Sequence, residues 1–158
     1  MRVIGIDPGM AIVGYSILDV EGDKITLITS GSIQTDKGLP DTKRLKEIYS
    51  DLTYLLEKYQ PDEAAIEKLF FFKNQKTVMP VSQARGVILL ALENADIKIK
   101  EYTPIEIKQT LTGYGRATKD EVANCVGIIL EGQTIPKLDD TVDSIAMALC
   151  HTRNLICI

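Results

Sequence analysis

The sequence predicts an α/β fold built on one mixed sheet of five strands flanked by helices, and three observations predict it. Strand-like and helix-like patterns follow one another as three strands, helix, strand, helix, strand and then helices only. One segment is apolar at Leu45, Ile48, Tyr49, Leu52, Leu55, Leu56 and Tyr59, the spacing of an amphipathic helix of about five turns. The length, 158 residues and 17.5 kDa, suits one domain spanning 1–158 that buries about 70% of its unfolded surface.

Each element has a local reason. Arg2–Asp7 is an apolar run that reads as a buried strand, and Asp7-Pro8-Gly9-Met10 supplies Pro and Gly at the central positions of a type II turn. Segments 12–20 and 24–35 are rich in β-branched residues and are joined by the polar turn Glu21-Gly22-Asp23. Their alternation is imperfect. Residues 36–40 form a loop, and Pro61 ends the amphipathic helix. Glu63–Glu67 reads as a short strand, Gln75–Asn94 as a helix with Pro80 near its start, 97–102 as a strand and 105–111 as a short helix. Gly113-Tyr114-Gly115-Arg116 reads as a flexible loop. Thr118 and Glu121 have capping-box spacing and start a helix running to about Leu130. Residues 132–138 are a linker with Pro136, and the last helix begins near Asp140. The helix before Glu63–Glu67 acts as a crossover, so connection rules place that strand parallel to the first.

Composition excludes several classes. With 45% hydrophobic and 25% charged residues, the chain is neither disordered nor collagen-like. Its longest aliphatic run, 87–92, is far short of the ~20 residues that span a bilayer. No signal peptide is visible at the N-terminus. Cys125, Cys150 and Cys157 are odd in number with no CxxC pair, which supports neither a disulfide framework nor a zinc site. The expected compartment is therefore a reducing cytoplasm. The net charge is −4, but segment 68–119 holds nine basic and four acidic residues, a net +5 that leaves −9 for the rest. That asymmetry leaves room for a phosphate-binding face on an acidic protein, the plainer reading being scattered solvated charges.

Four acids carry the chemistry. Asp7 and Glu67 each end an apolar strand behind a small residue, Gly5 and Ala65, and parallel neighbours would bring both to one carboxyl edge of the sheet. Asp140 and Asp143, three apart, share a helix face. Taken singly, Asp7 could be a turn residue, Asp140 an N-cap and Asp143 a favourable first-turn charge. Glu67 resists such a reading, because a charge at the end of a central strand needs a partner. Clustered carboxylates raise one another's pKa unless a cation neutralises them, and oxygen-only ligands suit Mg²⁺ or Mn²⁺. Two such ions about 4 Å apart serve phosphodiester hydrolysis. Phe70-Phe71-Phe72 lies between Lys68 and the cations Lys73 and Lys76, a pattern that stacks bases and contacts phosphates, while core or dimer contacts are the plainer use of these rings. Arg85, Lys108, Arg116 and Lys119 join Lys73 and Lys76 as candidate nucleic-acid phosphate contacts, which the resemblance given below makes DNA contacts. His151, the only histidine, reads as an ordinary core or surface residue.

These motifs resemble those of the RuvC family of Holliday-junction resolvases, over essentially the whole chain. The resemblance rests on Gly5-Ile6-Asp7-Pro8-Gly9 with Gly14-Tyr15, Ala65-Ile66-Glu67, Gln83-Ala84-Arg85-Gly86 and Ile107-Lys108-Gln109. It is completed by Asp140-Thr141-Val142-Asp143-Ser144-Ile145-Ala146 with Ala148 and His151. Ser144 stands where the family commonly has Ala. The resemblance implies a ribonuclease H-like fold and a homodimeric endonuclease of recombination and repair. Such an enzyme uses two Mg²⁺ per subunit, replaceable by Mn²⁺, and nicks four-way DNA junctions in pairs. It further implies Asp7, Glu67, Asp140 and Asp143 as metal-binding acids, Lys108 and Lys119 beside the scissile phosphate, and Phe70 stacked at the junction centre. It also implies a branch-migration partner of the RuvA and RuvB type. The helix around 87–92 is the expected dimer interface. The rival readings are an ATP-binding sugar-kinase or actin-like domain, a related nuclease acting on RNA or simple duplexes, and a junction binder without catalysis.

Overall fold

The computed structural model describes residues 1–68, 75–135 and 139–156. Five strands form one sheet: β1 (Arg2–Asp7), β2 (Ile12–Glu21), β3 (Lys24–Gln34), β4 (Glu63–Glu67) and β5 (Lys98–Tyr102), in the spatial order β3-β2-β1-β4-β5. β1–β2 and β2–β3 are antiparallel, whereas β1–β4 and β4–β5 are parallel, as the crossover argument requires. The helices are α1 (Asp41–Tyr59), α2 (Gln75–Asn94), α3 (Pro104–Thr112), α4 (Lys119–Ile129) and α5 (Asp139–Ile156).

The two-residue period of β1 divides the core. Ile4 and Ile6 point to one face, where Ile48 and Leu52 of α1 and Ile88 and Leu92 of α2 cover them. Val3 points to the other, where Val126 of α4 and Ile145 and Leu149 of α5 pack. Burying each of these large side chains contributes about 1.5–3 kcal/mol. Ile17 and Leu18 of β2 point to opposite faces and both are buried, so the alternation of this segment looks broken because both faces are covered; the register shift beside them leaves Ile28 as an extra residue on β3.

Helix ends follow capping chemistry. α1 begins four residues before its first apolar position, because its opening turn, Asp41-Thr42-Lys43-Arg44, is wholly polar. It ends at Gln60, whose left-handed backbone returns its N–H to the Leu56 carbonyl at 2.8 Å, and Pro61 cannot continue it. Thr118 and Glu121 form the expected capping box, and Thr103 with Glu106 forms a second around Pro104. Two expectations change. The three positive-φ glycines are Gly22, Gly113 and Gly132, so Gly9 is not in the left-handed state of a type II turn. Gly9 is needed for room, since a Cβ there would overlap the Ile12 carbonyl. The 113–116 loop is also tied down. Gln109 donates to the Gly113 carbonyl (2.8 Å), the Tyr114 N–H to Thr112 Oγ1 (3.1 Å) and the Ala117 N–H to the Tyr114 carbonyl (3.0 Å).

Candidate active site

Asp7 and Glu67 close two neighbouring strands. The parallel β1–β4 register runs through Ile6 opposite Ile66, so both acids emerge together at the carboxyl edge of the sheet. On its other side Asp7 pairs with Gly14 of β2. A Cβ on Gly14 would overlap the carbonyl of Asp140, and one on Gly5 would overlap that of Ser144. The first turns of α5 therefore rest directly on the sheet, backbone against backbone. That close approach carries Asp140 and Asp143 to the strand edge where Asp7 lies.

The electrostatics record the convergence. Burial, then the charges of Glu67, Asp143 and Asp140, push the Asp7 carboxyl up to about 7, against a partial offset from Lys119. Glu67 is also raised, by burial first and then by Asp143. Lys119 Nζ lies 3.0 Å from Asp143 Oδ2, and that hydrogen bond holds the ammonium above its usual range. A cleft of about 360 Å³ opens beside these groups, lined by Glu67, Lys108, Lys119 and Asp143 over an apolar floor that includes Ile107, Val122 and Met147. A hollow of about 400 Å³ between α1 and α2 has Glu57 as its one charged group and no comparable chemistry.

The donor chemistry fits a hard divalent cation. All four acids offer oxygen, and Asp7 is short of positive charge even with Lys119 nearby. Among the described residues no three His, Cys, Asp or Glu side chains already stand close enough to enclose an ion. Asp143 is instead paired with Lys119, so a cation held by all four acids would share Asp143 with that lysine or displace it.

The remaining candidates fall in different places. Lys108 lines the cleft and Arg116 is exposed on the tied loop. Phe70 and Lys73 lie outside the described residues, as does the side chain of Lys76. Arg85 is not on an open surface: it pairs with Glu101 of β5 and donates to the Glu67 carbonyl at 3.3 Å. His151 is a core residue rather than a surface one, its ring joining Tyr102 Oη (2.7 Å) to Glu63 (2.7 Å). Cys125 and Cys150 are free thiols, and Cys157 is outside the described residues. Along the run 87–92, Ile88, Ala91 and Leu92 are core residues, and Leu90 alone is largely exposed. The outward face of α2 is instead Met79, Gln83, Gly86 and Leu90, at helical spacing. The Arg85 contacts and the Thr103 cap were missed from sequence, although Thr103-Pro104-Ile105-Glu106 carries the same signature as the cap at Thr118.

A mixed five-stranded sheet in this order, with acids at the ends of its adjacent parallel strands and on the helix lying over them, is the architecture of the ribonuclease H-like nucleases. The family model described as crossover junction endodeoxyribonuclease RuvC matches residues 3–151, and the chain belongs to the RuvC family. It is 52% identical over 153 residues to the crossover junction endodeoxyribonuclease RuvC of Finegoldia magna, covering 96% of this chain and 92% of that one. The protein of the same name from Halothermothrix orenii is 49% identical over 151 residues, with the same coverage. Thermus thermophilus RuvC, solved in complex with a Holliday junction substrate, superimposes with a TM-score of 0.92 at 31% identity, covering 99% of this chain and 96% of the other. The fold extends to the yeast mitochondrial Holliday junction resolvase, at a TM-score of 0.69 and 13% identity over 98% of this chain and 82% of that one.

Proposed function

We propose that this protein is a divalent-metal-dependent endonuclease that resolves four-way DNA junctions by paired nicks in recombination and repair. The observation that carries the reading is the crowding of Asp7 by three other carboxylates at the sheet edge, in a chain that belongs to the RuvC family. Asp7, Glu67 and Asp140 would hold the metal, with Asp7 foremost, and Asp143 would complete the set and help to orient a water for attack. When bound, two Mg²⁺ ions, or Mn²⁺ in their place, supply the charge that lets these acids stay ionised together and the Lewis acidity that phosphodiester hydrolysis requires. Lys119 and Lys108, both on the cleft wall, offset negative charge that builds on the phosphate as its bond breaks. The apolar floor excludes water and strengthens those interactions. Phe70 stacks at the junction centre, and Lys73, Lys76 and Arg116 extend the contact to the junction arms.

Two nicks placed symmetrically need two sites facing one way, which a two-fold dimer provides. The exposed Met79, Gln83, Gly86 and Leu90 face of α2 suits a second copy, because Gly86 has nothing within 4 Å of its Cβ position and allows close approach. A branch-migration motor of the RuvA and RuvB type is the corresponding partner, and a bacterial cytoplasm the corresponding location. The decisive experiment incubates a synthetic mobile junction with the protein in Mg²⁺ or in EDTA and maps products at nucleotide resolution. Expected are symmetric nicks in Mg²⁺ only, a strong preference over linear duplex, and none from Asp7→Asn. Equal cutting of junction and duplex, or full cleavage by Asp7→Asn, would overturn the reading.

A further inference from the structure

Arg85 presents its guanidinium to two elements at once. Its Nε donates to the main-chain carbonyl of Glu67 at 3.3 Å, and its terminal nitrogen pairs with the Glu101 carboxylate on β5. The side chain is only 16% exposed. The place matters. Glu67 is the last residue of β4, opposite Tyr102, and just beyond it the Lys68 N–H bonds back to the Tyr102 carbonyl, at 2.8 Å. A strand end is where ladder hydrogen bonds hold least well. Here it carries an acid that must point into the cleft. The planar guanidinium, with donors in a fixed fork, braces that end from α2, and Glu101 fixes the brace.

We infer that Arg85 is a positioning residue that holds Glu67 in ligating orientation through its backbone carbonyl, with Glu101 as the anchor of that brace, and that Arg85 is not a DNA contact. This deepens the proposed function and rests on Glu67 as a metal ligand. Removing the brace lets the end of β4 relax, so Glu67 meets the cation less well while the surface offered to DNA is unchanged. Loss of an outer partner of this kind typically lowers metal affinity or activity about 10–100-fold.

The two candidate roles of Arg85 predict opposite behaviour for Glu101→Gln. A brace loses its anchor, so Glu101→Gln should resemble Arg85→Gln. A DNA contact loses a competing carboxylate, so Glu101→Gln should bind the junction as well as or better than the parent. Mn²⁺ binding to the full-length protein is measured from the free-ion electron paramagnetic resonance signal, and junction binding in EDTA by fluorescence anisotropy across a salt series. Both are run well below the lowest melting midpoint of the set. Expected for Arg85→Gln and Glu101→Gln alike is Mn²⁺ affinity lowered about 10–100-fold with junction Kd and its salt slope unchanged. A purely structural role would lower the melting midpoint and leave Mn²⁺ affinity alone, and that result overturns the inference. So does an Arg85→Gln protein that binds junction more weakly with a salt slope reduced by about one. Glu67→Gln separates the two levels: if it keeps parental Mn²⁺ affinity and cleavage, the ligand assignment itself fails, whatever Arg85 does.

Discussion

Asp7→Asn should stabilise the metal-free protein while abolishing cleavage, and the size of the gain follows from the crowding of the site. The Asp7 carboxyl is raised from an ordinary 3.8 to about 7. The folded state therefore binds this proton more tightly than the unfolded chain, and stability falls as pH rises between those two values. Below about pH 4 both states are protonated and no penalty exists. Above about pH 7 both are ionised and the whole penalty is present. Some three units at 1.36 kcal/mol each set a ceiling of about 4 kcal/mol. Relaxation of the exposed Lys119 and solvent in the cleft reduce this, so we expect about 1–3 kcal/mol, or roughly 2–10 °C for a chain of this length. Thermal unfolding followed by circular dichroism from pH 4 to pH 9 in EDTA measures it. The gap between Asp7→Asn and the parent should be near zero at pH 4 and widest above pH 7. Saturating Mg²⁺ should close it by stabilising the parent alone. Parallel curves across the whole range, or a variant less stable than the parent at pH 8 in EDTA, would refute the argument.

Gly14→Ala places a methyl group on the Asp140 carbonyl and must push the start of α5 off the sheet. A shift of about 1 Å at a ligand costs on the order of 100-fold in cleavage rate, and overpacking costs about 1–3 kcal/mol in urea denaturation. Gly127→Ala, on exposed α4 with nothing within 4 Å of the new methyl, should cut at the parental rate. His151→Ala leaves Tyr102 Oη and Glu63 without their buried partner. It should cost about 2–4 kcal/mol of stability. Glu63 lies at the far end of β4 from Glu67 but Tyr102 is paired with Glu67, so urea denaturation, rather than cleavage, is the measurement that checks this loss.

Much of this arrangement was legible in the sequence because it depends on chain direction. Strands that end in an acid behind a small residue, with a crossover helix between them, leave few placements, and Asp7 and Glu67 emerge side by side as those rules require. The pairs Thr118–Glu121 and Asp140–Asp143 were readable for the same reason, since both are local spacings. What stayed hidden depends on contacts between distant segments. Gly9 looks like a turn glycine from its neighbours, yet its use is to make room for a carbonyl three residues on. Arg85 looks like one more cation in a basic stretch, and only the folded chain shows Glu101 and the end of β4 beside it. The flexibility read into Gly113 to Arg116 failed because hydrogen bonds from Gln109 and Thr112 are absent from a propensity argument.

The bare glycine strip under α5 ties catalytic competence to the last helix. Asp140 and Asp143 follow Asp7 by more than a hundred residues, and α5 must dock on Gly5 and Gly14 before all four meet. A nascent or proteolysed fragment lacking α5 would therefore hold half the acids and none of their convergence. Four-acid competence therefore waits on the docking of α5, however early the sheet itself forms.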